Sequence, residues 1–134
     1  MTKISRALAD TSVFIAREQH RPIRLEKLPQ EIVVSVVTVA ELYAGVLAAG
    51  DTTIRARRLA TLEALASIEV LPIDEKVAHI WAELRVTLAE RNRRINVNDL
   101  WIGATAIANN IPVISQDDDF NPLEEGARLT VIKV

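Results

Sequence analysis

Residues 31–37 read E-I-V-V-S-V-V, a β-branched run broken only by Ser35. It lacks the alternation of a half-exposed strand and has the pattern of a strand covered on both faces, as in parallel sheets flanked by helices. Downstream, T-V-A-E-L-Y-A-G-V-L-A predicts a helix over about 38–49 that stops near Gly50, the residue type that commonly ends helices. Upstream, residues 4–9 (I-S-R-A-L-A) make a weaker first strand. After it, Thr11 and Ser12 offer an N-cap to a short helix through V-F-I-A-R-E-Q. A strand feeding a helix, twice in succession, is the alternation of an α/β fold.

The rest of the chain continues the pattern. A loop or broken helical turn spans Pro22 to Pro29. Residues 52–66 carry Ile54, Leu59, Leu62, Leu65 and Ala66 among arginines and predict an amphipathic helix, and 68–73 (I-E-V-L-P-I) predict a strand. Asp74 caps a long helix to about 92, with Val77, Ile80, Trp81, Leu84 and Leu88 at helical spacing. Residues 91–98 form a polar loop. Those from 99 to 109 predict a helix apolar almost all round, hence central and buried. Residues 111–115 and 128–134 supply the remaining strands. No repeat, low-complexity tract or linker divides the chain. One domain over 1–134 is expected, a three-layer α/β/α sandwich on a mostly parallel sheet.

At 134 residues the chain is long enough for a sizeable core. With aromatics at only 4%, that core must be built from Val, Ile, Leu and Ala. The absence of cysteine excludes disulfides, thiolate zinc sites and cysteine nucleophiles, and fits a reducing compartment. No apolar stretch is long enough to span a bilayer, and residues 1–10 lack a secretory pattern, so a cytoplasmic protein is expected. A net charge of −2 argues against a broadly basic surface. Two local basic groups remain, Arg55, Arg57 and Arg58, then Arg91, Arg93 and Arg94. They read as solvated helix faces or as phosphate-steering patches beside an acidic site.

Four acidic positions stand where an apolar run meets a helix start: Asp10, Glu41, Asp99, and the run Asp117, Asp118 and Asp119. In a parallel α/β sheet such positions converge on the carboxyl edge. Each has a plainer reading. Asp10 reads as an N-cap. Glu41, three residues after Thr38, fits a capping box in which it reaches back to the Thr38 N–H. The 117–119 run reads as a solvated turn. Asp99 is harder to explain, since it opens a helix of apolar residues and a poorly solvated carboxylate needs a partner. Carboxylates brought together repel by roughly 1–4 kcal/mol per pair near 4 Å. A hard divalent cation, Mg²⁺ or Mn²⁺, takes oxygen ligands and needs neither Cys nor His. Of the two histidines, His79 lies off the apolar stripe of its helix and His20 lies in a loop. Neither is assigned a role.

The strings A-D-T-S-V-F-I, S-V-V-T-V-A-E-L-Y-A-G, N-D-L-W-I-G-A-T-A-I-A and I-P-V-I-S-Q-D-D-D-F resemble, in order and spacing, a PIN-domain ribonuclease of the VapC toxin type. The resemblance implies a parallel-sheet α/β/α fold and Mg²⁺- or Mn²⁺-dependent endoribonuclease activity on structured RNA. It also implies inhibition by a VapB-type antitoxin, and a homodimer. By this likeness Asp10, Glu41 and Asp99 match the core acids. Asp117 matches the fourth, with Ser115 in the family's Thr position, while Asp119 stays an alternative. Thr11 or Ser12 matches the hydroxyl that supports the metal shell. Arginines of the 91–94 loop or of the 55–58 helix are expected to grip flanking phosphates.

Two rival readings remain. A phosphoacceptor or phosphatase-like domain would need a D-x-D-x-T run after the first strand, which this chain lacks. A non-catalytic partner-binding module would use the acids only as caps and receive a partner helix between residues 12–19 and 52–66.

Overall fold

The run at 31–37 divides in two. In a computed structural model describing residues 4–126 and 128–134, strand β2 (Glu31–Ser35) ends at Ser35, whose Oγ accepts the Val37 N–H at 3.0 Å. That hydrogen bond caps helix α2 (Val36–Leu47) two residues earlier than the β-branched pattern predicts. A capping hydroxyl outweighs the strand preference of two valines.

The other elements follow in order: β1 (Arg6–Ala9), α1 (Thr11–Glu18), α3 (Thr52–Glu63), β3 (Glu69–Leu71), α4 (Glu75–Glu90), α5 (Val97–Ala108), β4 (Val113–Ser115), α6 (Asn121–Glu125) and β5 (Val131–Lys133). The turn expected between the prolines is a 3-10 turn at Leu25–Lys27, and the helix predicted to residue 66 ends in another at Ala64–Ser67. Asp74 caps α4 as expected, accepting the Val77 N–H. Helix α6 was not anticipated: N-P-L-E-E is too short to show a periodicity.

The strands form one sheet in the order β3-β2-β1-β4-β5, with every pairing parallel. Alternation along the strands sorts their side chains onto two faces. Leu8, Val33 and Val113 face α4 and α5, joining Val77, Ile80, Leu84, Leu88, Leu100 and Ile102. Ala7, Ala9, Val34 and Ile114 face the other way, toward Val13 and Phe14 of α1 and Leu42 of α2. Both faces are therefore covered, and the layers are α/β/α. The alanines that make β1 look weak in sequence belong to the central strand, where small side chains leave room for Val13 and Phe14.

Helix α5 is buried through Ile102, Gly103, Ala104, Thr105 and Ala106. Gly103 is there for contact: a Cβ at this position would lie 2.4 Å from Cδ1 of Leu123 on α6. Leu123 is only 2% exposed and packed in the core, so it must shift to admit the methyl group. Gly103→Ala should therefore lower the unfolding free energy by about 1–3 kcal/mol, as overpacking does. A urea midpoint unchanged from wild type would contradict this packing.

Candidate functional site

The chain builds β1, β2 and β3 outward on one side, then returns to place β4 against the other edge of β1. The order reverses between β1 and β4, and crevices at the carboxyl ends of such strands are where α/β sheets bind ligands. Asp10 and Ser115 stand on the two sides of this point, and the Asp10 N–H donates to Ile114 O at 3.0 Å. Asp10 is 4% exposed and tightly held. Its Oδ1 accepts the Ser12 N–H at 2.7 Å, while Oδ2 accepts from Ser12 Oγ at 2.9 Å and Ser115 Oγ at 2.5 Å. Ser12 Oγ in turn accepts the Gln116 N–H at 3.0 Å, and Ser115 Oγ accepts the Asp117 N–H at 3.2 Å. Asp10 is thus the N-cap of α1, as its plainer reading expected and in place of Thr11 or Ser12, and it stands at the switch point as well. Burial pushes its carboxyl up, opposed by the Ser115 and Ser12 hydrogen bonds.

Glu41 does not act as a capping-box acid. Because Ser35 caps α2, Thr38 falls in the first turn of the helix and Glu41 one turn on. Glu41 Oε1 instead accepts from Thr11 Oγ1 at 2.7 Å, and its Oε2 lies 3.4 Å from the Asn98 amide nitrogen of α5. Asp99 is freed in the same way. The capping oxygen of α5 belongs to Asn96, which accepts the Asn98 and Asp99 N–H groups, so the Asp99 carboxylate has no capping duty. The helix starts two residues before the predicted 99 for this reason. Asn96 and Asn98 were passed over in the sequence, although the N-x-N-D spacing does carry a cap signature, and Thr38 was read only as the capping-box partner of Glu41.

The carboxyl of Asp99 is pushed up to about 7, first by burial and then by the charges of Asp10, Asp119, Glu41 and Asp117. Four acids from three other segments therefore act on one carboxyl. Asp119 acts on Asp99 more strongly than Asp117 does. Asp117 Oδ1 accepts the Asp119 N–H at 3.1 Å and shapes the turn, whereas Asp119 and Asp99 line a common cleft. Burial, then the neighbouring Asp117, also raises the carboxyl of Asp119. Asp118 also lines this cleft, but it pairs with Lys133.

That cleft, of about 410 Å³, has Arg93 and Arg94 on its wall together with Asp99, Asp118 and Asp119. The arginines differ. Arg93 pairs with Glu125 at 3.0 Å, and Arg91 packs over Gly126, its Nη1 3.1 Å from where a Cβ would stand. Arg94 makes no ion pair or side-chain hydrogen bond among the described residues and is exposed. The second basic group is partly committed to structure: Arg58 donates to Gly45 O at 2.7 Å and Arg55 to Ala49 O at 3.3 Å. A groove of about 300 Å³ between α1 and α3, lined by Phe14, Arg17, Ala60, Thr61 and Ala64, lies where a partner helix was anticipated. His79 is exposed, and among the described residues no helix is long and apolar enough to cross a membrane.

This arrangement of a five-stranded parallel sheet with helices on both faces has counterparts among known proteins. The chain belongs to the PIN-domain family, whose model matches residues 7–125, and within it to the VapC type. It is 52% identical over 125 residues to ribonuclease VapC5 of Mycobacterium tuberculosis (strain ATCC 25618 / H37Rv), covering 93% of each chain. Ribonuclease VapC4 of the same strain is 41% identical over 128 residues, covering 96% of this chain and 98% of that one. Its fold matches the crystal structure of VapBC-5, a member of the VapBC family of toxin-antitoxin systems from M. tuberculosis. The TM-score is 0.90 at 48% identity, covering 97% of this chain and 99% of that one.

Proposed function

We propose that the protein is a divalent-metal-dependent endoribonuclease, the toxin of a toxin–antitoxin pair, acting on structured RNA. One observation carries the reading. Asp99 is a half-buried carboxyl raised by four other acids, which arrive from the end of β1, α2 and the loop after β4. Such a cluster is costly without a cation.

The donor set is oxygen throughout, which fits Mg²⁺ or Mn²⁺. Among the described residues, no three Asp, Glu or His side chains are gathered tightly enough to enclose an ion unaided. Mg²⁺ keeps several of its waters and takes only one or two carboxylates directly, so the other acids would reach it through those waters. Asp10, Glu41, Asp99 and Asp117 would hold the ion, with Asp119 on the cleft side and Thr11, Ser12 and Ser115 orienting the carboxylates. When bound, such an ion makes water a stronger nucleophile and stabilises the charge on a phosphodiester.

The remaining work falls to the chain. Ser12 and Ser115 fix both oxygens of Asp10, Thr11 fixes one oxygen of Glu41, and the Asn96 cap leaves Asp99 facing the cleft. Arg94, unpaired at the mouth of that cleft, takes a phosphate flanking the cut. Arg91 and Arg93 lend positive field while also bracing α6. Specificity then rests on RNA shape and unpaired loops. A VapB-type antitoxin and a second copy of this chain complete the partners, as the family likeness implies. Exposed Val36, Tyr43 and Leu47 form an apolar stripe on α2 that either would cover.

Incubating the protein with total RNA, in Mn²⁺ or in chelator, and mapping new 5′ ends tests activity, metal dependence and target together. Cleavage that persists in chelator would overturn the metal assignment. Absence of both cleavage and calorimetric Mn²⁺ affinity would favour the binding module. Arg94→Ala should weaken RNA binding and lower the slope of log affinity against log salt by about 0.7–0.9. Arg93→Ala should change that slope less, since its charge is already partnered by Glu125. Equal slopes for wild type and Arg94→Ala would remove Arg94 from the interface.

A further inference from the structure

We propose that Thr38, outside the acid set, is a positioning residue that orients Glu41 through Thr11 along a one-way chain of hydroxyls. The inference rests on the metal-centre reading given above. Thr38 is 0% exposed and Thr11 is 9% exposed, with their Oγ1 atoms 3.0 Å apart. Thr11 Oγ1 is 2.7 Å from Glu41 Oε1.

The direction follows from counting protons. As a carboxylate, Glu41 only accepts, so the single hydroxyl proton of Thr11 is committed to it. In its contact with Thr38, Thr11 is therefore the acceptor, and Thr38 must donate. Thr38 thereby holds the Thr11 hydroxyl in the rotor position that presents its proton to Glu41 Oε1. Glu41 Oε2 has only the weaker 3.4 Å contact from Asn98, so the chain from Thr38 is its principal restraint. Thr38 is free to serve because Ser35 has taken the cap. Groups standing behind a ligand matter in general: losing one typically costs about 10–100-fold in metal affinity or activity.

The test is calorimetric Mn²⁺ affinity on four proteins: wild type, Thr38→Val, Thr38→Ser and Thr11→Val, with the double variant closing the cycle. Thr38→Val should lose about tenfold in Mn²⁺ affinity and lower kcat while leaving KM for RNA unchanged. Thr38→Ser should restore both. In the Thr11→Val background, Thr38→Val should cost nothing further, because its path to Glu41 is already cut. Three results would each overturn the relay: Thr38→Val binding Mn²⁺ like wild type, Thr38→Ser failing like Thr38→Val, or an equal loss in both backgrounds. Should valine not be accommodated, Thr38→Ala reads the same cycle. Wild type without Mn²⁺ affinity would overturn the metal reading itself, an outcome distinct from a wild type that binds and a relay variant that binds equally.

Discussion

Asp99→Asn should lower Mn²⁺-dependent RNA cleavage by about a thousandfold, the rate equivalent of about 4 kcal/mol of lost transition-state stabilisation. The fold should survive, because Asn96 rather than Asp99 caps α5. The same substitution has a second signature in chelator. In the folded protein the Asp99 carboxyl titrates near 7, against 3.8 ordinarily. Between those values the folded state holds a proton that the unfolded chain has released. Stability therefore falls as pH rises from about 4 to about 7 and levels off above. Asp10 and Asp119, also raised, add to the slope in the same direction. Asparagine carries no such proton, so Asp99→Asn should show a shallower loss of melting temperature between pH 5 and pH 8. Full cleavage by the purified variant would remove Asp99 from the site. An unchanged pH slope would mean that its charge is not the strained one.

Phe120→Ala should be the most destabilising single truncation, at about 3–5 kcal/mol. Native domains hold roughly 5–15 kcal/mol in all, so this is a large share. Phe120 is 1% exposed and is the largest fully buried side chain among the described residues. It directly follows the acidic turn and packs into the α4/α5 face of the core, and its carbonyl accepts the Leu123 N–H at 3.0 Å. The ring thus anchors Asp117 and Asp119 at the sheet edge. Truncation should cost Mn²⁺ affinity as well as stability, whereas Phe120→Leu, which keeps most of the volume, should cost about 1 kcal/mol. Urea unfolding of the two variants measures the difference. Equal midpoints would show that the ring is not what holds this turn.

The layered α/β architecture was legible because burial on both faces leaves a mark in sequence. The valines of 31–37, the all-round apolar α5 and the stripe of α4 are each forced by where their side chains must go. Boundaries were less legible. Residues 36 and 37 look like strand, yet they open a helix because one hydroxyl satisfies a backbone N–H that would otherwise be orphaned. Helix α6 is too short to show any period and exists because Leu123 and Phe120 find a place against α5 and the core. Within the site, Asp99 was the acid whose surroundings were best read from sequence, since its apolar neighbours follow it in the chain. Thr38 was read with Glu41 as a capping box. The two share a helix, but they meet only through Thr11, twenty-seven residues upstream.

The sequence by itself determined the alternation of strands and helices, the oxygen-only chemistry on offer, and which acids stand at helix starts. These are consequences of periodicity and residue type. Only the tertiary structure decided which acids are spoken for. Ser35 and Asn96 took the caps of α2 and α5, releasing Glu41 and Asp99. Asp10 kept its cap and its place at the switch point, and Asp119 came to line the cleft with Asp99 while Asp117 shapes the turn. The physical reason is that a hydrogen bond is claimed by whichever donor or acceptor arrives at about 3 Å. For groups brought together by a parallel sheet, that distance is set by strand order and register, which neighbouring residues in the chain do not encode.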